Sequence, residues 1–122
     1  MLTAKQGQVV RAFAILGMMG QQQLSTPVAY KLFKLKKSLA TVVEFQSEQE
    51  KKLAEELGGS FSETGKLDLP KDQKAEYDKR HKELVETECE VECDRVKLKM
   101  SDIPVISMDI IDALDLFIEF KE

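Results

Sequence analysis

One stretch limits the possible folds more than any other. Thr26-Pro27 opens it and Gly58-Gly59 closes it. Threonine caps free backbone N–H groups at a helix start, and proline at the first helical position loses nothing by lacking its own. Glycine is a common stop. Between these marks Val28, Leu32, Leu35, Leu39 and Val42 recur at steps of 4, 3, 4 and 3, the spacing of a helix–helix seam. Phe33, Ala40 and Val43 thicken the stripe, which fades through Gln46 and Gln49 and returns at Leu53 and Leu57. The predicted helix runs from Pro27 to about Leu57 and is about 45 Å long. A rod of that length does not fit inside a globule of 122 residues, so part of it must project or pair with another chain.

The flanks supply shorter elements. Thr3 and Gln6 have the spacing of a capping box and predict a helix through about Met19, with Val9, Phe13 and Leu16 on one face. Val10, Ala14 and Met18 widen that face, and Gly20 ends it. Residues 58–69 carry turn chemistry, with Thr64-Gly65 between Phe61 and Leu67 marking a small hairpin or a mobile tip. Pro70 opens a helix to about Val85, its Tyr77, His81 and Leu84 aligned, returning antiparallel along the long one. Residues 86–100 alternate as a strand does. Cys89, Val91 and Cys93 share one face, whereas Val96, Leu98 and Met100 are one residue out of phase. A bulge or tight turn at Asp94-Arg95 would correct this. Ile103-Pro104 breaks the run, and Ser107 caps a last helix, Met108 to Glu119, with Ile110, Ile111, Leu114, Phe117 and Ile118 as its apolar stripe. The expected fold is a single α+β domain over residues 1–122. It is mainly α: a long antiparallel helical hairpin with short N- and C-terminal helices and a small antiparallel sheet.

A hydrophobic fraction of 43% is too high for intrinsic disorder. No run approaches the ~18 apolar residues of a membrane span. Val9 to Met19 is short, Arg11 interrupts it, and Gln21-Gln22-Gln23 follows where a signal peptide would place a cleavage site. A cytoplasmic protein without membrane contact is expected. Cys89 and Cys93 lie four residues apart on a strand, about 13 Å, whereas a disulfide needs Cα atoms within roughly 7 Å. Both are expected to stay reduced.

The net charge of −4 is unevenly distributed. Residues 1–40 hold six basic side chains (Lys5, Arg11, Lys31, Lys34, Lys36, Lys37) and no acid, while residues 101–122 hold six acids against Lys121. Either the first half offers an anion-binding surface, or the basic and acidic helices pack together within a chain or between subunits. Lys31, Lys34 and Lys37 step by three along one ridge near the start of the long helix, where the dipole favours anions. With Arg11 and Tyr30 as neighbours they form the candidate ligand-binding set, for a small anionic, nucleotide-like ligand whose base could stack on Tyr30. An acidic chain without a recognisable module argues against nucleic acid.

Other chemistry finds less support. His81, Cys89 and Cys93 lack the tight pairing of structural zinc ligands. As a Cys–His nucleophile pair they lack a third partner, and the acids around the cysteines would raise a thiol pKa. Glu86, Glu88, Glu90 and Glu92 form a row opposite Cys89, Val91 and Cys93, which either binds a divalent cation or protects a solvated edge. The glycines fit no phosphate loop. No enzyme activity, metal or cofactor is expected. The long apolar stripe and that of the last helix offer more apolar face than one return helix covers, so a homo-oligomer is expected.

The segments TPVAYKLFKLKKSL (Thr26 to Leu39), ETECEVE (Glu86 to Glu92) and VKLKMSDIPVISMDIIDALDLFIEF (Val96 to Phe120) together resemble a family of small bacteriophage proteins defined only as a domain of unknown function. The resemblance covers nearly the whole chain and departs at the short, glycine-rich residues 58–69. It implies a phage or prophage origin, an accessory role and a place in the host cytoplasm. Two functions then stand open. One is a non-catalytic inhibitor or sponge that binds and blocks a host factor or a host immune signalling molecule. The other is a structural or assembly protein, such as a tail or head assembly chaperone.

Overall fold

The computed structural model describes residues 1–103 and 106–121. In chain order the elements begin with β1 (Leu2–Lys5), α1 (Gln6–Met19), α2 (Thr26–Glu56), β2 (Ser60–Phe61) and β3 (Leu67–Asp68). They continue with α3 (Lys74–Glu86), β4 (Glu88–Val91), β5 (Val96–Lys99), α4 (Met108–Leu114) and β6 (Ile118–Lys121). The architecture is α+β and mainly α, with one long helix and small two-stranded sheets, as expected.

The long helix begins where the sequence marks it, one residue early: Ser25 occupies the cap position, and Thr26 and Pro27 open the first turn. Its stripe of Val28, Leu32, Leu35 and Leu39 is buried, in one core with Val9, Ala12, Leu16 and Met19 of α1 and with Val91 and Leu98 of β4 and β5. The stripe therefore needs no second chain to cover it, contrary to the reason given for an oligomer. Phe33 does not thicken the seam either. It lies about 100° from Leu32 around the helix and points outward, 60% exposed. Beyond Gln46 the helix enters a second, smaller core, where Leu53 and Ala54 meet Tyr77 of α3. The β2–β3 hairpin closes that core with Phe61, Leu67 and Leu69. The Arg80–Glu56 ion pair (2.7 Å) and the approach of His81 Nε2 to the Glu50 carboxylate (3.5 Å) tie α3 to α2.

Both ends of the chain differ from expectation. Residues 2–5 are a strand, antiparallel to β4 with Ala4 opposite Cys89, and the helix starts only at Gln6. The glutamine that closes its first turn is Gln8, whose Oε1 accepts the Lys5 backbone N–H at 2.8 Å. Thr3 and Gln6 have the spacing of a cap, but the strand buries Ala4 and Val91 and satisfies a ladder of backbone groups, which outweighs one local cap. Ser107 caps α4 as predicted, accepting the Ile110 N–H at 3.3 Å. The helix stops at Leu114, well short of Glu119. The Val96 N–H then donates to the Phe117 carbonyl at 2.9 Å and β6 runs parallel to β5, Val96 opposite Ile118. A parallel pair needs a crossover, and α4 supplies it. The phase change at Asp94-Arg95 is thus a handover between two ribbons, not a bulge within one. The expected small antiparallel sheet is, among the described residues, three two-stranded ribbons, two antiparallel and one parallel. Of the expected break at Ile103-Pro104, Pro104 lies outside the described residues, as does Glu122 of the C-terminal acids. No described helix is long and apolar enough to cross a membrane.

Candidate docking surface

The inward face of α2 is used up by the core, which leaves its outward face to be explained. Tyr30, Lys31, Phe33, Lys34, Lys37 and Phe45 are exposed there, and Lys36 is half-buried. Exposed lysines are ordinary on a helix; phenylalanines left in water beside them are not. Phe33 is flanked by a groove of about 300 Å³ where the end of α1 meets the start of α2, with Leu16, Gly20, Leu24 and Ala29 in its walls. A second groove of about 390 Å³, walled by Phe13, Lys36, Lys37 and Ala40, continues on the other side of Phe33. Phe33 and Lys36 belong to both. Met18 of α1, 65% exposed, adds apolar surface on the neighbouring helix.

The electrostatics of this face follow from the sequence. Every described residue walling the two grooves comes from the acid-free first 40 residues. Lys36 and Lys37 therefore act without a carboxylate in the walls, and among the described residues neither makes an ion pair. The Lys36 ammonium rests 5.2 Å from the centre of the Phe13 ring, a cation–π contact worth about 0.5–1 kcal/mol when exposed.

The five residues predicted as a ligand set do not converge on one point. Tyr30 and Lys34 meet, the ammonium 5.6 Å from the ring centre. Lys31 and Lys34 share a groove of about 300 Å³, but its far wall carries Glu92 and Asp94. Two carboxylates facing two ammoniums leave little net attraction for an anion. Lys37 lies on the apolar groove instead. Arg11 is held by Asp112 of α4 at 3.1 Å, so one contact between the basic and acidic halves of the chain is intramolecular. The residue that sequence reasoning passed over is Phe33. Its position one step off the leucine stripe is the available signal, although the stripe alone places it with the core.

The candidates for catalysis are separated. His81 stacks on Tyr77 with ring centres 5.5 Å apart and faces Glu50, beside the second core. Cys89 and Cys93 pack against the main core as free thiols. Burial pushes both thiols up from their ordinary value of 9.0. At Cys93 Asp94 pushes the same way and the chain's amino terminus opposes it. Thiols so placed are poor nucleophiles at neutral pH. In the glutamate row, Glu86 ends α3, Glu88 and Glu90 sit on β4, and Glu92 follows it, all exposed. Among the described residues no three His, Cys, Asp or Glu side chains are grouped to hold a metal ion.

Comparison with known protein families, curated proteins and solved structures finds no match to this chain.

Proposed function

We propose that this protein is a non-catalytic binding protein of phage origin that docks on a host protein through the outer face of α1 and α2 and blocks it. One observation carries the docking face: Phe33 stands exposed between two apolar grooves rimmed by Lys36 and Lys37, which have no ion-pair partner among the described residues. An aromatic anchor with an apolar surround and a charged rim is the usual make-up of an interaction hot spot. The phage origin and the host target rest on the resemblance of the segments Thr26–Leu39, Glu86–Glu92 and Val96–Phe120. Wild-type protein and Phe33→Ser are used as parallel baits in host lysate, and the recovered partner is then purified and mixed with each. A stoichiometric complex with wild type and none with the variant is expected. Equal complexes with both would remove the surface from consideration.

Tyr30 beside Lys34, with Lys31 in the same groove, favours a second reading in which the protein sequesters a small anionic nucleotide. Lys31→Glu with Lys34→Glu then abolishes nucleotide binding and leaves the melting temperature unchanged, because exposed lysines contribute little to stability. Nucleotide binding that survives this double change disposes of that reading. In a homo-oligomer a second copy would occupy the Phe33 face, and light scattering of wild type against Phe33→Ser tests for it.

A further inference from the structure

We infer that the groove between α1 and α2 accepts an acidic amphipathic α-helix of about three turns; the inference rests on the reading of this face as a protein docking surface. The length comes from α2. From Ala29 to Ala40 the two grooves, which share Phe33 and Lys36, together follow that helix for about 16 Å at 1.5 Å per residue, which three turns of a bound helix match. The preference for a helix over a strand comes from the walls. Those of both grooves come from α1, α2 and the short link between them. Helical backbone donors and acceptors are already paired within each helix. A strand laid there would find no ladder to join, whereas a helix arrives with its own hydrogen bonds made. The preference for acidic flanks comes from Lys36 and Lys37, set in walls whose described residues include no carboxylate. A glutamate on the incoming helix would draw the Lys36 ammonium off the Phe13 ring, 5.2 Å away, and uncover that ring for the ligand's apolar face.

The chain's own acidic helix is a poor occupant. α4 spans seven residues, about two turns. Its Asp112 is held by Arg11, and Asp115 just beyond it by Arg95 at 3.6 Å. An anionic membrane would meet the same combination of lysine and phenylalanine, but membrane-binding helices present a protruding apolar face, and here Leu16 and Leu24 lie in the walls of a groove.

The test uses a fluorescent peptide of about twelve residues, with leucines at i, i+3, i+4 and i+7 and glutamates elsewhere, and a twin with lysines for the glutamates. Anisotropy should show wild type binding the glutamate peptide at least about tenfold more tightly than the lysine twin. Phe33→Ser should weaken it by a similar factor, Lys36→Glu with Lys37→Glu should reverse the preference, and Phe45→Ser, on α2 outside the groove, should change nothing. Circular dichroism of each variant shows that the fold is retained. Equal binding of the two peptides, or no binding of the glutamate peptide, overturns the inference. So does Phe33-dependent uptake on vesicles of phosphatidylglycerol and phosphatidylcholine, or a Phe33-dependent dimer in light scattering. If the lysate partner still requires Phe33 while the glutamate peptide fails, the docking face stands and the acidic-helix inference falls. If neither requires Phe33, both fall.

Discussion

Two residues on adjacent faces of α2 show how position sets the cost of a change. Leu39 is 0% exposed, and Leu39→Ala removes its burial and leaves a cavity, so thermal unfolding should report a loss of about 2–5 kcal/mol. Phe33→Ala removes a larger side chain from an exposed position and should stay within about 0.5 kcal/mol of wild type; comparable losses would show Phe33 to be core after all. Gln46 is the converse case. It is buried, its Oε1 has no partner among the described residues, and its Nε2 reaches Glu50 only at 3.4 Å. An unsatisfied buried acceptor costs about 1–3 kcal/mol, so Gln46→Leu should raise the melting temperature, and a lowered one would contradict this account of the site. The cysteines make stability fall on the alkaline side. Well below pH 9.0 both thiols are protonated, folded or unfolded, and their burial contributes fully. Above it the unfolded chain ionises first, because burial holds the folded thiols higher, and stability declines until the folded thiols ionise too. Tyr77 adds a similar decline above its ordinary 10.0, raised first by burial and then by Glu50 and Asp78. Denaturation midpoints measured from pH 8 upward should fall from about pH 9 in wild type and only from about pH 10 in Cys89→Ala with Cys93→Ala.

At the level of elements, local chemistry and non-local pairing divide what could be read in advance. α2, the β2–β3 hairpin, the Ser107 cap and most of α3 were legible, because each is marked by proline, glycine, serine or a period of 3 and 4 within a few residues; Pro70, expected to open α3, precedes a 3-10 turn (Lys71–Gln73), and α3 starts only at Lys74. β1 and β6 were not. Leu2–Lys5 finds its partner at Glu88–Val91 and Ile118–Lys121 finds its own at Val96–Lys99, and no local signal announces a pairing at such separation. Ile118-Glu119-Phe120 also suits a strand and the end of an amphipathic helix equally well. The candidate site was half legible. The lysine ridge could be counted, but which flank of the leucine stripe stays wet depends on where α1, β4 and β5 come to rest. The hairpin's attachment rests on Gly59. A Cβ there would overlap Leu69 and the Asp68 carbonyl oxygen, so Gly59→Ala should push β3 off the helix end at a cost of about 1–3 kcal/mol. Gly65, with φ at +82° and open space around it, should lose only about 1 kcal/mol on changing to alanine. Hydrogen exchange in residues 60–69 distinguishes the two, with faster exchange expected in the Gly59 variant while the main core stays protected. Equal protection in both would mean that the backbone absorbs the added methyl group.

Over the whole molecule, the two cores give the long helix two tasks. Its first half completes the main core and turns Phe33, Lys36 and Lys37 outward, and its second half carries α3 and the hairpin away from that core. The charge asymmetry is settled in part inside the chain, by Arg11 on Asp112 and by Lys31 and Lys34 across a groove from Glu92 and Asp94, and Lys36 and Lys37 have no ion-pair partner among the described residues. An uncompensated basic face beside exposed aromatic surface is a feature of association, not of stability. Replacing Phe33 by p-benzoylphenylalanine, and separately Met108, which is 85% exposed on α4, tests this directly by photo-crosslinking in host cells. The account predicts one discrete adduct from the Phe33 label, absent when Lys36→Glu and Lys37→Glu are combined with it, and none from the Met108 label. A partner captured from Met108 and missed from Phe33 would contradict it.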